Sequence, residues 1–157
     1  LWQAVLIRLR QHVSQRRQVD ELEGPMYGES VPVRQRLGQG TFRVLVTDIY
    51  QRQCAVTREK ALPVLEAAHI RPVSEGGAHR IDNGLLLRTD VHALFDRGYV
   101  TVTPDYAFRV SRRLKADFEN GEYYYQFQGN KLWMPPKVED RPQREFLEWH
   151  GDVVFRR

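Results

Sequence analysis

The 157-residue chain has the usual size of one globular domain, and its 41% hydrophobic and 28% charged residues are typical of a protein with one packed core. No apolar run approaches the roughly 20 residues of a membrane-spanning helix, and there is no signal-peptide pattern, so we expect no membrane residence. A net charge of +4 is compatible with a polyanionic partner, although charge alone does not demonstrate one.

Two segments precede the predicted main domain. In residues 1–19 apolar side chains recur at helical spacing, which predicts an amphipathic helix. Residues 21–40 contain four glycines and two prolines, and we interpret them as a linker. We therefore assign residues 1–32 to an N-terminal helix and linker, and residues 33–157 to the main domain. Because the chain begins at Leu1 without an initiator methionine, we expect a missing upstream domain.

The first half of the main domain is predicted to contain a helix, a β-hairpin and a second helix. Thr41 is a candidate cap for the first helix. Residues 64–70 and 85–87 predict two short strands, joined by a loop that contains glycine and proline. Thr89 is a candidate cap for the second helix, which ends near Gly98. The predicted buried stripes are Phe42, Leu45, Val46 and Ile49 in the first helix and Val91, Leu94 and Phe95 in the second.

The second half is predicted to add a hairpin and two helices. Residues 99–110 alternate about a Pro104-Asp105 turn, which predicts another β-hairpin. Helical spacing returns from Ser111, and a short apolar helix near Phe146 ends the chain. The single cysteine, Cys54, excludes an internal disulfide and a multi-cysteine zinc site, and agrees with a cytoplasmic location.

Residues 66–96 hold three histidines, an asparagine and several carboxylates, and two of the histidines stand at a spacing that predicts a site. His69 ends the first predicted strand, Asn83 follows 14 positions later, and His92 lies nine positions beyond Asn83 on the second helix. Asp96 follows His92 by four positions, so the two side chains share a helix face. Two ligands one turn apart can reach one cation, which makes His92 and Asp96 the candidate metal pair.

The other two residues of this group suit proton transfer and positioning. A neutral imidazole can accept a proton from water near pH 7, so His69 is the candidate general base. Asn83 ends the loop, where its amide can bond the backbone near His69 and hold the imidazole in place.

The phrases LEAAHI, NGLLL and HALFDRG resemble the HNH, or ββα-metal, nuclease superfamily, in the subgroup of bacterial restriction-type endonucleases. His69, Asn83 and His92 fall on the three letters of the family name. The resemblance implies an α+β fold, with a ββα-metal (His-Me finger) core of hairpin and helix, flanking helices and an additional β-hairpin. It also implies cleavage of DNA, which we expect to be double-stranded, with one divalent ion. We expect Mg²⁺, with Mn²⁺, Ni²⁺ or Zn²⁺ as alternatives.

The chain departs from the family pattern at two positions. Many relatives have a metal-binding Asp or His immediately before the base, where this chain has Ala68. Glu66 lies on the same strand face as Ala68, so its longer carboxylate is a candidate replacement ligand, with a solvent-facing glutamate as the alternative. Some relatives carry paired CxxC motifs for structural zinc, but Thr57 stands where CAVT would need a second cysteine, so we expect no zinc knuckle.

Three arginines flank the predicted site, and three histidines lie outside it. Arg71, Arg88 and Arg97 are candidate phosphate contacts, with surface solvation as the competing interpretation. The histidines at positions 12, 79 and 150 match no motif position and are interpreted as structural.

Three functional hypotheses follow. The first is a one-metal DNA endonuclease of restriction or defence against foreign or modified DNA, joined to an upstream recognition domain. The second, motivated by Ala68, is a catalytically degenerate HNH-fold module that binds DNA without cutting it. The third is a structural or protein-interaction module, which predicts no salt-sensitive DNA affinity. A homodimer is compatible with all three.

Overall fold

The computed structural model describes Gln3, Leu6, Ile7, Arg10 and residues 31–157, with only the backbone given for residues 31–37. The four N-terminal residues have helical backbone, and the rest of the predicted helix over residues 1–19 lies outside the described residues. Leu6 is buried, which agrees with the amphipathic helix predicted for this segment. Arg10 donates to Asp48 at 2.6 Å, so one arginine of this segment is bound to the main domain.

Helix α1 spans Val31–Ile49 and packs its apolar stripe against the hairpin that follows. The stripe is the predicted one, with Phe42, Leu45, Val46 and Ile49 all buried. The linker interpretation is wrong for residues 31–40, because their backbone is helical through both glycines of that stretch. Thr41 likewise lies inside this helix, so the predicted cap at the start of a helix is wrong. Glycine weakens a helix by only about 1 kcal/mol, and packing of a neighbouring apolar stripe outweighs this preference.

Strands β1 (Leu65–His69) and β2 (Gly84–Arg88) form an antiparallel hairpin in which His69 pairs with Gly84. Both strands were predicted to within two residues. Three consecutive leucines of β2 are buried because helices cover both faces of the hairpin. Gly84 is required by close packing, since a Cβ there would lie 2.7 Å from Val46 Cγ2 and 3.0 Å from Phe42 Cε2.

Helix α2 spans Thr89–Asp96 and covers the hairpin face opposite α1. Val91 and Phe95 are buried as predicted, and Gly98, at φ +76°, follows the end of the helix. The predicted cap at Thr89 is wrong, because the helix begins at that residue and no side chain caps it. The order strand, loop, strand, helix is that of a ββα unit.

The remaining elements follow this unit in the chain, and the first strand among them packs against α2. Strands β3 (Val100–Val102) and β4 (Phe108–Val110) form the predicted second hairpin. Ser111 accepts a hydrogen bond from the Arg113 N–H and caps the next helix. No helix in the described part of the chain is long and apolar enough to cross a membrane. The helices that follow are α3 (Arg112–Phe118), α4 (Glu122–Tyr125) and α5 (Arg144–Trp149), and α5 continues into a π-helical turn, His150–Val154.

His150 is a core histidine, as its lack of a motif position predicted. Its ring stacks on Phe95 at 3.7 Å, and only 2% of the residue is exposed. Nε2 donates to the Phe95 carbonyl at 3.0 Å, so Nδ1 is the acceptor for the Thr101 hydroxyl at 2.8 Å. Burial lowers the pKa of His150 to about 4, which keeps the ring neutral. This histidine joins α2, β3 and the C-terminal turn.

Candidate active site

His69 is held at the end of β1 by the first long helix. Its imidazole stacks on the Phe42 ring, with centroids 3.9 Å apart and planes 10° apart. Burial is the main cause that lowers the pKa of His69 to about 4, with smaller contributions from His79 and His92. The imidazole is therefore neutral at pH 7, the state in which it can accept a proton.

The two nitrogens of His69 have different surroundings. Nε2 lies 3.0 Å from Nδ1 of His79. Nδ1 has no hydrogen-bond partner among the described residues, in which every buried side-chain nitrogen and oxygen atom is partnered. It follows that Nδ1 reaches solvent. A water molecule on this nitrogen would meet the lone pair of a neutral ring.

The sequence interpretation of His79 as a merely structural residue missed its contact with His69. His79 lies in the loop between the two strands, ten positions after His69 and four before Asn83. No motif marks this position, and loop conformation is not encoded in a periodic pattern. The sequence did offer one indication of this contact. His79 lies in the loop of a predicted hairpin, and a hairpin brings the two ends of its loop close together.

Asn83 is fully buried and fixes the loop through three hydrogen bonds. Its Oδ1 accepts the Arg71 N–H at 2.9 Å, and its Nδ2 donates to the carbonyls of Arg71 at 2.9 Å and Ala78 at 3.0 Å. Arg71 is two residues after His69, and Ala78 immediately precedes His79. The amide thus connects the two backbone segments that carry the paired imidazoles. Because it is buried, Asn83 can act only through these neighbours.

His92 stands between two carboxylates, one at each ring nitrogen. Nδ1 lies 2.6 Å from Glu66 Oε2, and Nε2 lies 3.3 Å from Asp96 Oδ2. The structure therefore brings together the three side chains that the sequence nominated as metal ligands. The carboxylate side chains are 46% and 56% exposed, so solvent ions have access to them.

The donor set of this group suits a divalent cation. Oxygen and nitrogen ligands bind such ions at about 2.0–2.2 Å, so two donors on one ion stand about 3 Å apart. The 3.3 Å separation of Asp96 and His92 Nε2 meets this requirement. The 2.6 Å contact of Glu66 is a hydrogen-bond distance, and a neutral His92 that donated its Nδ1–H to Glu66 would leave Nε2 free to bind an ion beside Asp96.

The three donors do not converge on one point. In the described residues, no three His, Cys, Asp or Glu side chains are arranged to hold an ion together. The cause is geometric, since Glu66 and Asp96 meet opposite nitrogens of one ring. Partial desolvation raises the pKa of Asp96, and the Glu66 charge adds to this, while His92 and Arg97 act in the opposite direction. A cation at Asp96 would favour the charged carboxylate and so oppose this rise in pKa.

The base and the carboxylates lie on opposite faces of the hairpin. Side chains alternate along a strand, so His69 faces α1 with its partner Gly84, whereas Glu66 faces α2. A positive charge on His92 would disfavour protonation of His69.

The three candidate phosphate contacts differ in how their guanidinium groups are bound. Arg88 forms two hydrogen bonds with Asp90, at 2.7 and 2.8 Å, and a third with the Tyr123 hydroxyl. Arg71 donates to the Glu75 carbonyl at 2.6 Å and lies over the Trp149 ring. Arg97 is exposed and donates to the Ala93 carbonyl of its own helix at 3.1 Å.

Comparison with known proteins identifies the ββα unit. The family model for HNH endonucleases matches residues 54–103, the segment that contains both strands, α2 and β3. Residues 54–103 are therefore similar to an HNH endonuclease domain. His69, Asn83 and His92 of this domain all fall inside the matched segment.

A solved restriction endonuclease is similar in fold to this chain. The structure described as "Modification dependent TagI restriction endonuclease" aligns with a TM-score of 0.50 and 20% identity, over 72% of this chain and 37% of that one. This chain therefore corresponds to little more than a third of that enzyme. Comparison with curated proteins finds no match. The predicted α+β ββα-metal fold and the resemblance to HNH endonucleases are confirmed.

Proposed function

We propose that the chain is a metal-dependent endonuclease that hydrolyses phosphodiester bonds of double-stranded DNA, with His69 as the general base. The observation that carries the proposal is a neutral His69 imidazole whose Nδ1 reaches solvent at the end of β1, inside an HNH domain. Nδ1 takes the proton of a water molecule, which attacks phosphorus. Neutrality matters because a protonated ring could not act as a base.

The chain's other site residues bind and orient. We propose that His92 Nε2 and Asp96 hold one divalent ion, while Glu66 orients His92 by accepting its Nδ1–H. Glu66 as a direct ligand is the alternative. When bound, the ion supplies positive charge that stabilises the phosphate and the leaving oxygen. Asn83 holds the backbone on either side of the loop, and Arg97, whose side chain is exposed, binds a phosphate next to the cleaved bond.

The biological role that we propose is restriction of foreign or modified DNA. It is supported by the fold shared with an enzyme described as a modification-dependent restriction endonuclease. The HNH domain would supply cleavage, and a domain beyond residues 33–157 would recognise the target. Phosphate contacts from arginine carry no sequence information, so recognition needs a separate surface.

A nicking assay tests the proposal. Wild-type protein with Mg²⁺ or Mn²⁺ is expected to convert supercoiled plasmid to the open circular form, and chelation is expected to stop it. His69→Ala removes the base and should slow nicking by about 10²- to 10⁴-fold. His12→Ala, a histidine substitution outside the matched segment, serves as the control and should nick at the wild-type rate. Nicking by His69→Ala at the wild-type rate would reject His69 as the base.

One observation favours a second function, in which the domain binds DNA without cutting it. Ala68 replaces a family ligand, and the remaining donors do not converge on one point in the described residues. This alternative predicts salt-sensitive binding to plasmid DNA with no nicking in any divalent metal. A gel shift at two salt concentrations, run beside the nicking assay, separates the two functions.

A further inference from the structure

His79 belongs to a three-ring cluster with Phe42 and His69. The His69 and His79 rings meet edge-on with centroids 5.0 Å apart, and Phe42 lies 6.1 Å from His79 and stacks on His69. The cluster places a polar contact, Nε2 of His69 to Nδ1 of His79, beside an otherwise apolar surface of α1. Two neutral imidazoles in such a contact need one donor and one acceptor.

Only two arrangements satisfy this contact. In the first, Nε2–H of His69 donates to Nδ1 of His79, and the lone pair of His69 Nδ1 faces solvent. In the second, Nδ1–H of His79 donates to Nε2 of His69, and Nδ1 of His69 carries a proton. The first puts both rings in the Nε2–H tautomer, which histidine side chains favour in water, and the second puts both in the Nδ1–H tautomer. The intrinsic tautomer preference of both rings therefore favours the first arrangement.

The surroundings of His79 hold its ring in place. Asn83 binds the carbonyl of Ala78, the preceding residue, at 3.0 Å. On the other side, the helix backbone at Gly38 approaches so closely that a Cβ there would lie 3.1 Å from His79 Cδ2. A loop residue fixed by a buried amide and by a helix presents its acceptor in one direction.

We propose that His79 is a positioning residue that keeps His69 in the Nε2–H tautomer, so that the Nδ1 lone pair is presented to water. This inference rests on the proposed role of His69 as the general base. His79 contacts no reacting atom and acts only through His69. It explains why a loop histidine without a motif position is packed against α1 and bonded to the predicted base.

Nitrogen NMR tests the tautomer without any activity measurement. In ¹⁵N-histidine-labelled wild-type protein at pH 7, His69 assigned by comparison with His69→Ala should show a protonated Nε2 and an unprotonated Nδ1. A protonated Nδ1 on His69 would overturn the proposal. This outcome is independent of whether the protein cuts DNA, so failure of the proposed function and failure of this inference are distinguishable.

Two substitutions of equal size separate positioning from packing. In His79→Asn, Oδ1 occupies the place of the imidazole Nδ1 and can accept the same hydrogen bond, whereas His79→Leu fills similar space without an acceptor. We expect His79→Leu to lower the single-turnover nicking rate by about 10- to 100-fold, the usual cost of losing the hydrogen-bond partner of a functional histidine, and His79→Asn to recover most of that loss.

The remaining outcomes also decide the question. Equal rates for wild type and His79→Leu would show that His69 needs no acceptor. Equal losses in both variants, with matching melting temperatures, would show that an imidazole property other than acceptance is used. Either result would overturn the positioning role. A His79→Leu protein that melts early is replaced by His79→Gln against His79→Met, which repeat the acceptor comparison in a longer side chain.

Discussion

The two faces of the β1–β2 hairpin provide contrasting environments for the candidate site. On the α1 face, His69 stacks on Phe42 and its pKa falls to about 4 through burial. On the α2 face, His92 lies between carboxylates that are 46% and 56% exposed. The first environment keeps a base neutral, and the second leaves negative charge open to a cation. The hairpin separates the two environments.

The largest expected effect is the loss of nicking rate in His69→Ala, and a titration with Mn²⁺ distinguishes it from a loss of metal binding. His69→Ala should remain about 10²- to 10⁴-fold slower than wild type at every Mn²⁺ concentration, because a missing base is not replaced by more cation. The measurement is the single-turnover nicking rate across an Mn²⁺ series. Recovery of the His69→Ala rate at high Mn²⁺ would show that the imidazole serves metal binding, and the contrast between the faces would disappear.

The acid limb of the pH profile tests the lowered pKa of His69 on the α1 face. Because burial lowers the pKa of His69 from 6.5 to about 4, the ring stays neutral as pH falls and loses its proton-accepting form only near pH 4. Nicking at saturating Mn²⁺ should therefore stay within about two-fold of its plateau between pH 7 and 5. The check is single-turnover rates from pH 4.5 to 8. An acid limb centred at pH 6.5 would contradict the burial of the base.

Two conservative substitutions rank the ligands on the α2 face. Asp96→Asn removes a proposed direct ligand, so the Mn²⁺ concentration for half-maximal rate should rise by at least about 10- to 100-fold. Glu66→Gln keeps an acceptor for the His92 Nδ1–H and should raise this half-maximal Mn²⁺ concentration less. Isothermal titration calorimetry measures the Mn²⁺ affinity of both variants in the absence of DNA and should give the same order. The reverse order would make Glu66 the direct ligand.

Two glycine substitutions test how closely α1 packs on the base face. Gly84→Ala puts a Cβ 2.7 Å from Val46 Cγ2 and should destabilise the fold by about 1–3 kcal/mol through overpacking. Gly40→Ala, at an exposed helix position with nothing within 4 Å of the added Cβ, should stabilise it by about 0.5–1 kcal/mol. Urea denaturation measures both free energies of unfolding. Equal changes would mean that contact with α1 does not limit this position.

The smallest expected effect concerns the arginines of the α2 side. Arg97 has an exposed guanidinium bonded to one carbonyl of its own helix, so Arg97→Ala should lower the slope of log affinity against log salt by about one. Arg88 is bound to Asp90 through two hydrogen bonds, so Arg88→Ala should leave that slope unchanged. Filter binding to plasmid fragments at several salt concentrations decides the order. Equal slopes for both variants would remove the distinction.

Local pattern was sufficient for most of the ββα unit. The alternation and apolar runs of β1 and β2, and the stripe of α2, predicted these elements because burial imposes its period on the sequence. The resemblance then placed His69, Asn83 and His92 on them. The linker prediction was wrong at residues 31–40. The glycines there suggested a linker, but the segment is helical because the helix to which it belongs packs against the hairpin.

Residue identity and spacing by themselves determined the HNH motif, the hairpin and the helix that carry it. Only the tertiary structure decided that His79 lies against His69, that Glu66 and Asp96 take opposite nitrogens of His92, and that the arginines differ in their internal bonds. The physical reason is range. A helix or strand repeats a local pattern that neighbouring residues share, whereas these contacts join a loop, two strands and two helices whose approach depends on packing of the whole core.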